Sequence, residues 1–303
     1  MKIVMMGSGG VGGYYGARLQ QAGHEVAFVA RGAHAEAMRK NGLRIRSELG
    51  DAQLSVRVLE DPAQAGPTDL AVIAVKLWDT EAAARAVARV PRAAVVSLQN
   101  GVDKDEVLAG ALGRDRVLGG VTHIAAVIAE PGMIAQTGKL QRVTLGELDG
   151  SRTPRLQATA DAFRSAGVEA VVSDDIRRVT WEKFVFLSAL SGLTALTRKP
   201  IGEVRANPAT RSLLLEALRE AVAVARAEGA GLDDAFAQKQ LETVDSLPAG
   251  MLSSMAQDLL RGRRLELPWL SGAVVRRAEK HGLRVPAHQA IQAALILHAD
   301  NLR

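Results

Sequence analysis

With 303 residues, 48% hydrophobic and 23% charged, the chain has the composition of a globular protein long enough for two domains that each bury a core, which excludes disordered and fibrous classes. It contains no cysteine, so disulfides, thiolate nucleophiles and cysteine metal sites are excluded, no metal site is expected, and a cytoplasmic location is the simpler expectation. The formal charge of +5 suits a small anionic ligand; the basic residues are scattered and aromatics are only 3%, which argues against a nucleic-acid partner, and no uncharged apolar run approaches the roughly 18 residues of a membrane span.

The opening "KIVMMG" predicts a buried strand, and the glycines that follow it leave no room for the apolar core of a signal peptide. Directly after the strand comes "GSGGVG", a G-x-G-x-x-G pattern at the head of a helix in a complete β-α-β unit. In that context Gly7 permits the tight turn, Gly9 lets backbone approach a pyrophosphate and Gly12 lets the helix pack on the strand. Gly7, Ser8, Gly9, Gly10, Val11 and Gly12 are therefore assigned to dinucleotide binding. The next strand ends in "FVARG", without the carboxylate that receives the ribose 2′-hydroxyl of NAD. Arg31 stands 19 residues beyond Gly12 instead, where a guanidinium suits the 2′-phosphate of NADP.

Further short β-branched runs, "DLAVIAVK", "AAVVSLQN" and "RVTLGEL", alternate with helical stretches such as "DTEAAARAVARV". This pattern predicts a mostly parallel sheet covered by helices. Lys76 and Asn100 fall at the carboxyl ends of two of these strands, the edge at which open α/β sheets bind ligands. Of the 29 glycines, 21 precede Asp175, and after "EAVVSDD" the strand signals stop, so the second part is expected to be helical. One helix has explicit ends: Asn207 as N-cap, Pro208 in the first turn and Gly229 beyond the last. The expected division is residues 1–174 and 175–303.

In "WEKFVFLSALS" Lys183, Leu187 and Ser191 share one helical face. Taken alone, Lys183 also reads as a lysine whose stem lies on apolar surface while its ammonium reaches water. A second polar group, Ser253, Ser254, Gln257, Asp258 and Glu266, follows among apolar residues, and taken alone it also reads as a polar helix face and a turn.

Taken together, "GSGGVG", "AR", "VK", "QNG", "GGVTHIAA", "PG" followed by "LGE", "WEK" and "SSMAQD" followed by "LE" resemble the ketopantoate reductases over nearly the whole chain. The resemblance implies a Rossmann-type, NADP-binding first domain and an all-helical second domain similar to the C-terminal domain of 6-phosphogluconate dehydrogenases. It implies reduction of a small-molecule 2-keto acid with NADPH as hydride donor, and it allows a homodimer. By motif position Lys183 matches the family's catalytic lysine, Glu266 its active-site glutamate and Ser254 a substrate-binding serine, while Lys76, Asn100 and Ala125 match cofactor contacts. Two positions depart from the pattern within the substrate set: Leu187 and Ser191 replace asparagines. Pro268 replaces an aspartate two residues after Glu266. Leu187 cannot hydrogen-bond a substrate hydroxyl, which leaves open a paralogue acting on another 2-keto acid. A non-catalytic NADP-binding regulatory protein is the alternative from another class.

Overall fold

The computed structural model describes residues 1–300. The chain forms two compact units, one of residues Met1–Asn100 and Lys104–Val179, the other of Gly101–Asp103 and the chain from Thr180 onward.

The first unit is built on a ten-stranded sheet. Its strands are β1 (Lys2–Met6), β2 (Glu25–Val29), β3 (Leu43–Ser47), β4 (Ala52–Leu54), β5 (Arg57–Leu59), β6 (Leu70–Ile73), β7 (Ala94–Ser97), β8 (Val117–Glu130), β9 (Met133–Glu147) and β10 (Glu169–Val172). Along the sheet the order is β4-β3-β9-β8-β7-β6-β1-β2-β5, with β10 added beside β9. Among the described residues only the β3–β4 and β8–β9 pairs are antiparallel. From β5 to β8 this is the doubly wound order, and the winding reverses between β1 and β6.

Strand β1 shows why these residues form this sheet. It is buried from Ile3 to Met6 because both of its faces are covered. Ile3 and Met5 enter a core with Tyr14, Tyr15 and Phe163, whereas Val4 and Met6 enter one with Ala83, Ala84 and Leu108. The period of two thus divides one strand between two cores. Those cores lie under helices α1 (Gly10–Gln21), α2 (Gly32–Asn41), α3 (Thr80–Val87), α4 (Lys104–Leu112) and α5 (Pro154–Ser165).

The β8–β9 hairpin turns at Pro131–Gly132, where Gly132 has φ +79°. Its register slips midway: Ile124 faces Gln141 but Ala125 faces Thr137. Residues Gly138–Leu140 are left outside the pairing, so the strand is re-aimed at Ala125.

The second unit is helical: α6 (Ile176–Thr197, which begins before the unit does), α7 (Ile201–Ala206), α8 (Pro208–Ala227), α9 (Ala235–Asp245), α10 (Ser254–Leu260), α11 (Ser271–Lys280) and α12 (Pro286–Leu295). The expected caps of α8 are present: Asn207 Oδ1 accepts from Ala209 N at 3.0 Å and Thr210 N at 3.4 Å, and Gly229 follows the helix at φ +76°. A single core joins Phe184, Leu190, Leu193, Leu218 and Ile291. Glu220 of α8 reaches across to accept the Ala287 and His288 amides at 2.7 and 2.9 Å, satisfying the first donors of α12. Asp103, which clusters with this unit, accepts from Arg277 at 2.7 and 3.0 Å and from Arg276 at 3.1 Å.

Candidate active site

The glycine loop joins β1 to α1 at the edge where the winding reverses. Gly7 has φ +97°, and a Cβ there would lie 2.7 Å from Val75 Cγ1. A Cβ on Gly12 would lie 1.9 Å from Gly7 O, so the loop closes onto its own helix. Gly10 is locked from the other side: a Cβ there would lie 2.1 Å from Ala126 O on β8. Gly9 differs from these three, since a Cβ on it would meet nothing within 4 Å. No side chain caps the N-terminus of α1 at Gly9.

The result is a loop closed in at Gly7, Gly10 and Gly12 and open at Gly9, at the head of a helix without a side-chain cap, an arrangement that suits a pyrophosphate. These residues fit a dinucleotide. Ser8 is buried and its Oγ donates to Val29 O at 3.0 Å, so its side chain holds the loop to the end of β2. Val11 is half-buried against the core.

The remaining expected cofactor residues of this unit reach the same sheet edge from separate elements. Lys76 follows β6, is exposed and extends over the Trp78 ring at 5.6 Å from its centroid. Asn100 follows β7 and is half-buried. Ala125 is exposed on β8 beside the register slip. Arg31 stands at the N-cap position of α2 with an extended backbone and a side chain 71% exposed. Asp79 lies 3.3 Å from that guanidinium.

Three residues of this edge were not among the expected site residues. Asp79 comes from the short turn after Lys76, 48 residues from Arg31. Gln99, inside "QNG", donates to Val75 O at 3.0 Å and to Thr80 Oγ1 at 2.9 Å, tying the end of β7 to the end of β6. Its own Oε1 accepts from Ser97 at 3.0 Å. His34, in the first turn of α2, bonds the glycine loop directly. Only Gln99 had a sequence signal, its place at the carboxyl end of a strand.

In the helical unit, Lys183, Leu187 and Ser191 follow one another along α6 at i, i+4 and i+8. Lys183 is half-buried. Leu187 packs against the core of the unit, and Ser191 is fully buried with its Oγ making no hydrogen bond among the described residues. An unpaired buried hydroxyl costs about 1–3 kcal/mol. Ser253 caps α10, accepting from Ala256 N at 3.1 Å and from Thr194 Oγ1 of α6 at 2.8 Å. That bond fixes the start of α10, and the neighbouring Ser254 is exposed. Glu266 is buried at the head of the short turn Leu267–Trp269. Pro268 stands in the first positions of that turn, where no amide donor is needed, and its carbonyl accepts from Arg276.

Glu147, the glutamate of "LGE", is structural. Burial would raise its pKa, but hydrogen bonds and charge from Arg155 together with Thr153 hold it below the usual carboxylate range, and it anchors the start of α5. Among the described residues no cluster of histidine and carboxylate side chains could hold a metal ion, and no helix is long and apolar enough to cross a membrane.

Residues 3–150 match the family described as Ketopantoate reductase PanE/ApbA, and residues 175–299 match Ketopantoate reductase PanE/ApbA C terminal. The chain belongs to the ketopantoate reductase family. It is 36% identical over 282 residues to a 2-dehydropantoate 2-reductase of Archaeoglobus fulgidus, covering 93% of this chain and 92% of that protein. It is also 31% identical over 300 residues to an uncharacterized oxidoreductase, YkpB, of Bacillus subtilis, with 98% and 99% covered. The crystal structure of a PanE/ApbA family ketopantoate reductase from Ralstonia eutropha JMP134 superposes with a TM-score of 0.91 at 34% identity, over 99% of this chain and 98% of that one. The family consists of NAD(P)-dependent oxidoreductases, and the Rossmann-type sheet followed by a helical domain is its architecture.

Proposed function

We propose that this protein reduces 2-dehydropantoate (ketopantoate) to pantoate with NADPH, a step of pantothenate and coenzyme A biosynthesis. The observation that carries this reading is the full-length match of both units to one family that includes 2-dehydropantoate 2-reductases. In this reading the sheet unit binds NADP and the helical unit supplies the substrate and catalytic residues. A cytoplasmic location and a homodimeric state are its accompanying expectations.

The loop from Gly7 to Gly12 takes the pyrophosphate, Arg31 the 2′-phosphate, and Lys76, Asn100 and Ala125 line the rest of the cofactor site. When bound, NADPH supplies the hydride for the keto carbon. Lys183 then acts on the keto oxygen: its ammonium stabilises the negative charge that develops there and gives up a proton, so that C=O becomes CH–OH and the amine is reprotonated from water. Glu266 keeps that ammonium charged and oriented, and Ser254 and Ser191 offer hydroxyls to the substrate. Support for Ser191 is its buried, unpartnered Oγ, an atom that gains most from a ligand hydrogen bond.

A second reading has its own observation. Leu187 is half-buried against the apolar core and presents no hydrogen-bonding group, so a more apolar 2-keto acid would be the preferred substrate. Loss of NADPH absorbance across a panel of 2-keto acids decides between them. Ketopantoate should give the highest kcat/KM; turnover of another keto acid at least about tenfold better would replace the first reading with the second, and no turnover of any would leave the regulatory-protein alternative.

A further inference from the structure

We propose that His34 is a positioning residue for the phosphate loop: it holds the Ser8–Gly9 peptide so that the Gly9 N–H faces the cofactor's pyrophosphate. The inference rests on the dinucleotide-binding reading given above.

His34 makes two hydrogen bonds through its ring. Nε2 lies 2.9 Å from Ser8 O, and the Gly132 amide donates to Nδ1 at 3.0 Å. A carbonyl only accepts and a backbone amide only donates, so these partners assign the ring as neutral with its proton on Nε2. Its burial acts in the same direction, pushing the pKa below the ordinary histidine value against the opposing bond to Ser8 O.

A trans peptide is planar, with its C=O and N–H pointing to opposite sides. Turning Ser8 O toward His34 therefore turns the Gly9 N–H away from it. Gly9 is the residue of the loop on which an added Cβ would meet open space. The Ser8 side chain is already held by Val29 O, so Ser8 is tied at both its hydroxyl and its carbonyl. Through Nδ1 the same ring holds the β8–β9 turn, whose Gly132 carbonyl accepts from Arg44 N at 2.9 Å. Strand β8 is the one that presses Ala126 O against Gly10. One imidazole thus joins the loop to the turn of the hairpin that bounds it.

The amide nitrogen of glutamine occupies nearly the place of imidazole Nε2, and the amide oxygen of asparagine nearly that of Nδ1. His34→Gln accordingly keeps the bond to Ser8 O, whereas His34→Asn keeps only the bond from Gly132. Wild type, His34→Ala, His34→Gln and His34→Asn would be titrated with NADPH at equilibrium without substrate, following ligand and protein fluorescence, and the melting temperature of each free protein recorded. The expected result is that Ala and Asn weaken NADPH binding about tenfold, the worth of one neutral hydrogen bond, while Gln stays within about threefold of wild type. A purely structural role would instead make affinity follow the melting temperature. Asparagine binding as tightly as wild type, or glutamine as weakly as alanine, overturns the proposal. Wild-type protein that binds neither NADPH nor NADH would overturn the dinucleotide reading itself, a result distinct from unchanged affinity in all three variants.

Discussion

In the proposed function, the glycine loop and the Lys183–Leu187–Ser191 face of α6 work in opposite ways. In the loop the chemistry is backbone: side chains are absent at Gly7, Gly10 and Gly12 because Val75, Ala126 O and Gly7 O occupy the space they would need. On α6 the chemistry is side chain, and nothing in the helix backbone distinguishes Lys183 from any lysine at a half-buried position. A site made by exclusion leaves a rigid pattern in the sequence. A site made by a few separate side chains leaves only residue types, such as the half-buried Lys183 and the fully buried Ser191 on one helix.

The largest expected effect separates the two directly. Lys183→Ala should lower kcat/KM for the best 2-keto acid about a thousandfold, the usual worth of a positioned acid that also stabilises developing charge, and should leave NADPH affinity within about twofold. Stopped-flow turnover together with equilibrium titration of NADPH measures both. A variant that kept its turnover would remove Lys183 from the chemistry.

The next effect asks which unit gives way in acid. His288 is fully buried, donates from Nε2 to Ala217 O at 3.0 Å, and has no partner for Nδ1 among the described residues. Burial pushes its pKa down to about 4, from 6.5. The unfolded chain therefore takes up a proton before the folded one does. The associated stability is complete above about pH 6.5 and is lost as pH falls toward 4, amounting to about 3 kcal/mol. Glu220, whose pKa burial raises, binds a proton in the folded state first and so offsets part of this loss. Urea unfolding from about pH 7 to about pH 4.5 should show the decline, and His288→Gln, which keeps a donor for Ala217 O, should flatten it. Identical slopes in the two proteins would remove His288 as the source.

A smaller effect returns to the loop. Gly10→Ala drives a methyl into Ala126 O, and strand β8 must move away, at about 1–3 kcal/mol. NADPH affinity should fall about tenfold or more in a protein that is still folded, with the helices of the second unit unaffected. Wild-type affinity would mean that the β8 contact packs the loop without shaping it.

How much of this was legible in the sequence follows the same division. The strand, loop and helix from Lys2 to Gln21 could be read because every constraint is local, and the α8 caps at Asn207 and Pro208 could be read for the same reason. A mostly parallel sheet covered by helices followed from alternating apolar runs and helical stretches, whereas the strand order did not. What could not be read are contacts between distant positions: Gly10 against Ala126, Gly132 on His34 at a separation of 98 residues, and Asp79 on Arg31 at 48. The three-residue bulge at Gly138–Leu140 is likewise a matter of pairing with another strand, because β8 sets its register.

The smallest expected effect concerns one of those hidden contacts. In the proposed NADP site Arg31 would take the 2′-phosphate, yet the Asp79 carboxylate is 3.3 Å from its guanidinium and the Asp79 side chain is about one-third exposed. A 2′-phosphate arriving there must share Arg31 with a fixed negative charge, whereas a ribose 2′-hydroxyl could donate to that same carboxylate. Asp79 would thus oppose the preference proposed for Arg31. Exposed pairs of this kind are worth about 0.2–1 kcal/mol, so Asp79→Asn should tighten NADPH about two- to fivefold and leave NADH unchanged or slightly weaker. The gain should shrink as salt is raised, because both charges face solvent. Arg31→Ala should do the reverse, weakening NADPH well beyond NADH. If Asp79→Asn instead weakens NADPH, the carboxylate is holding Arg31 in its binding orientation, and the ion pair belongs to the NADP site as a support and not as a competitor.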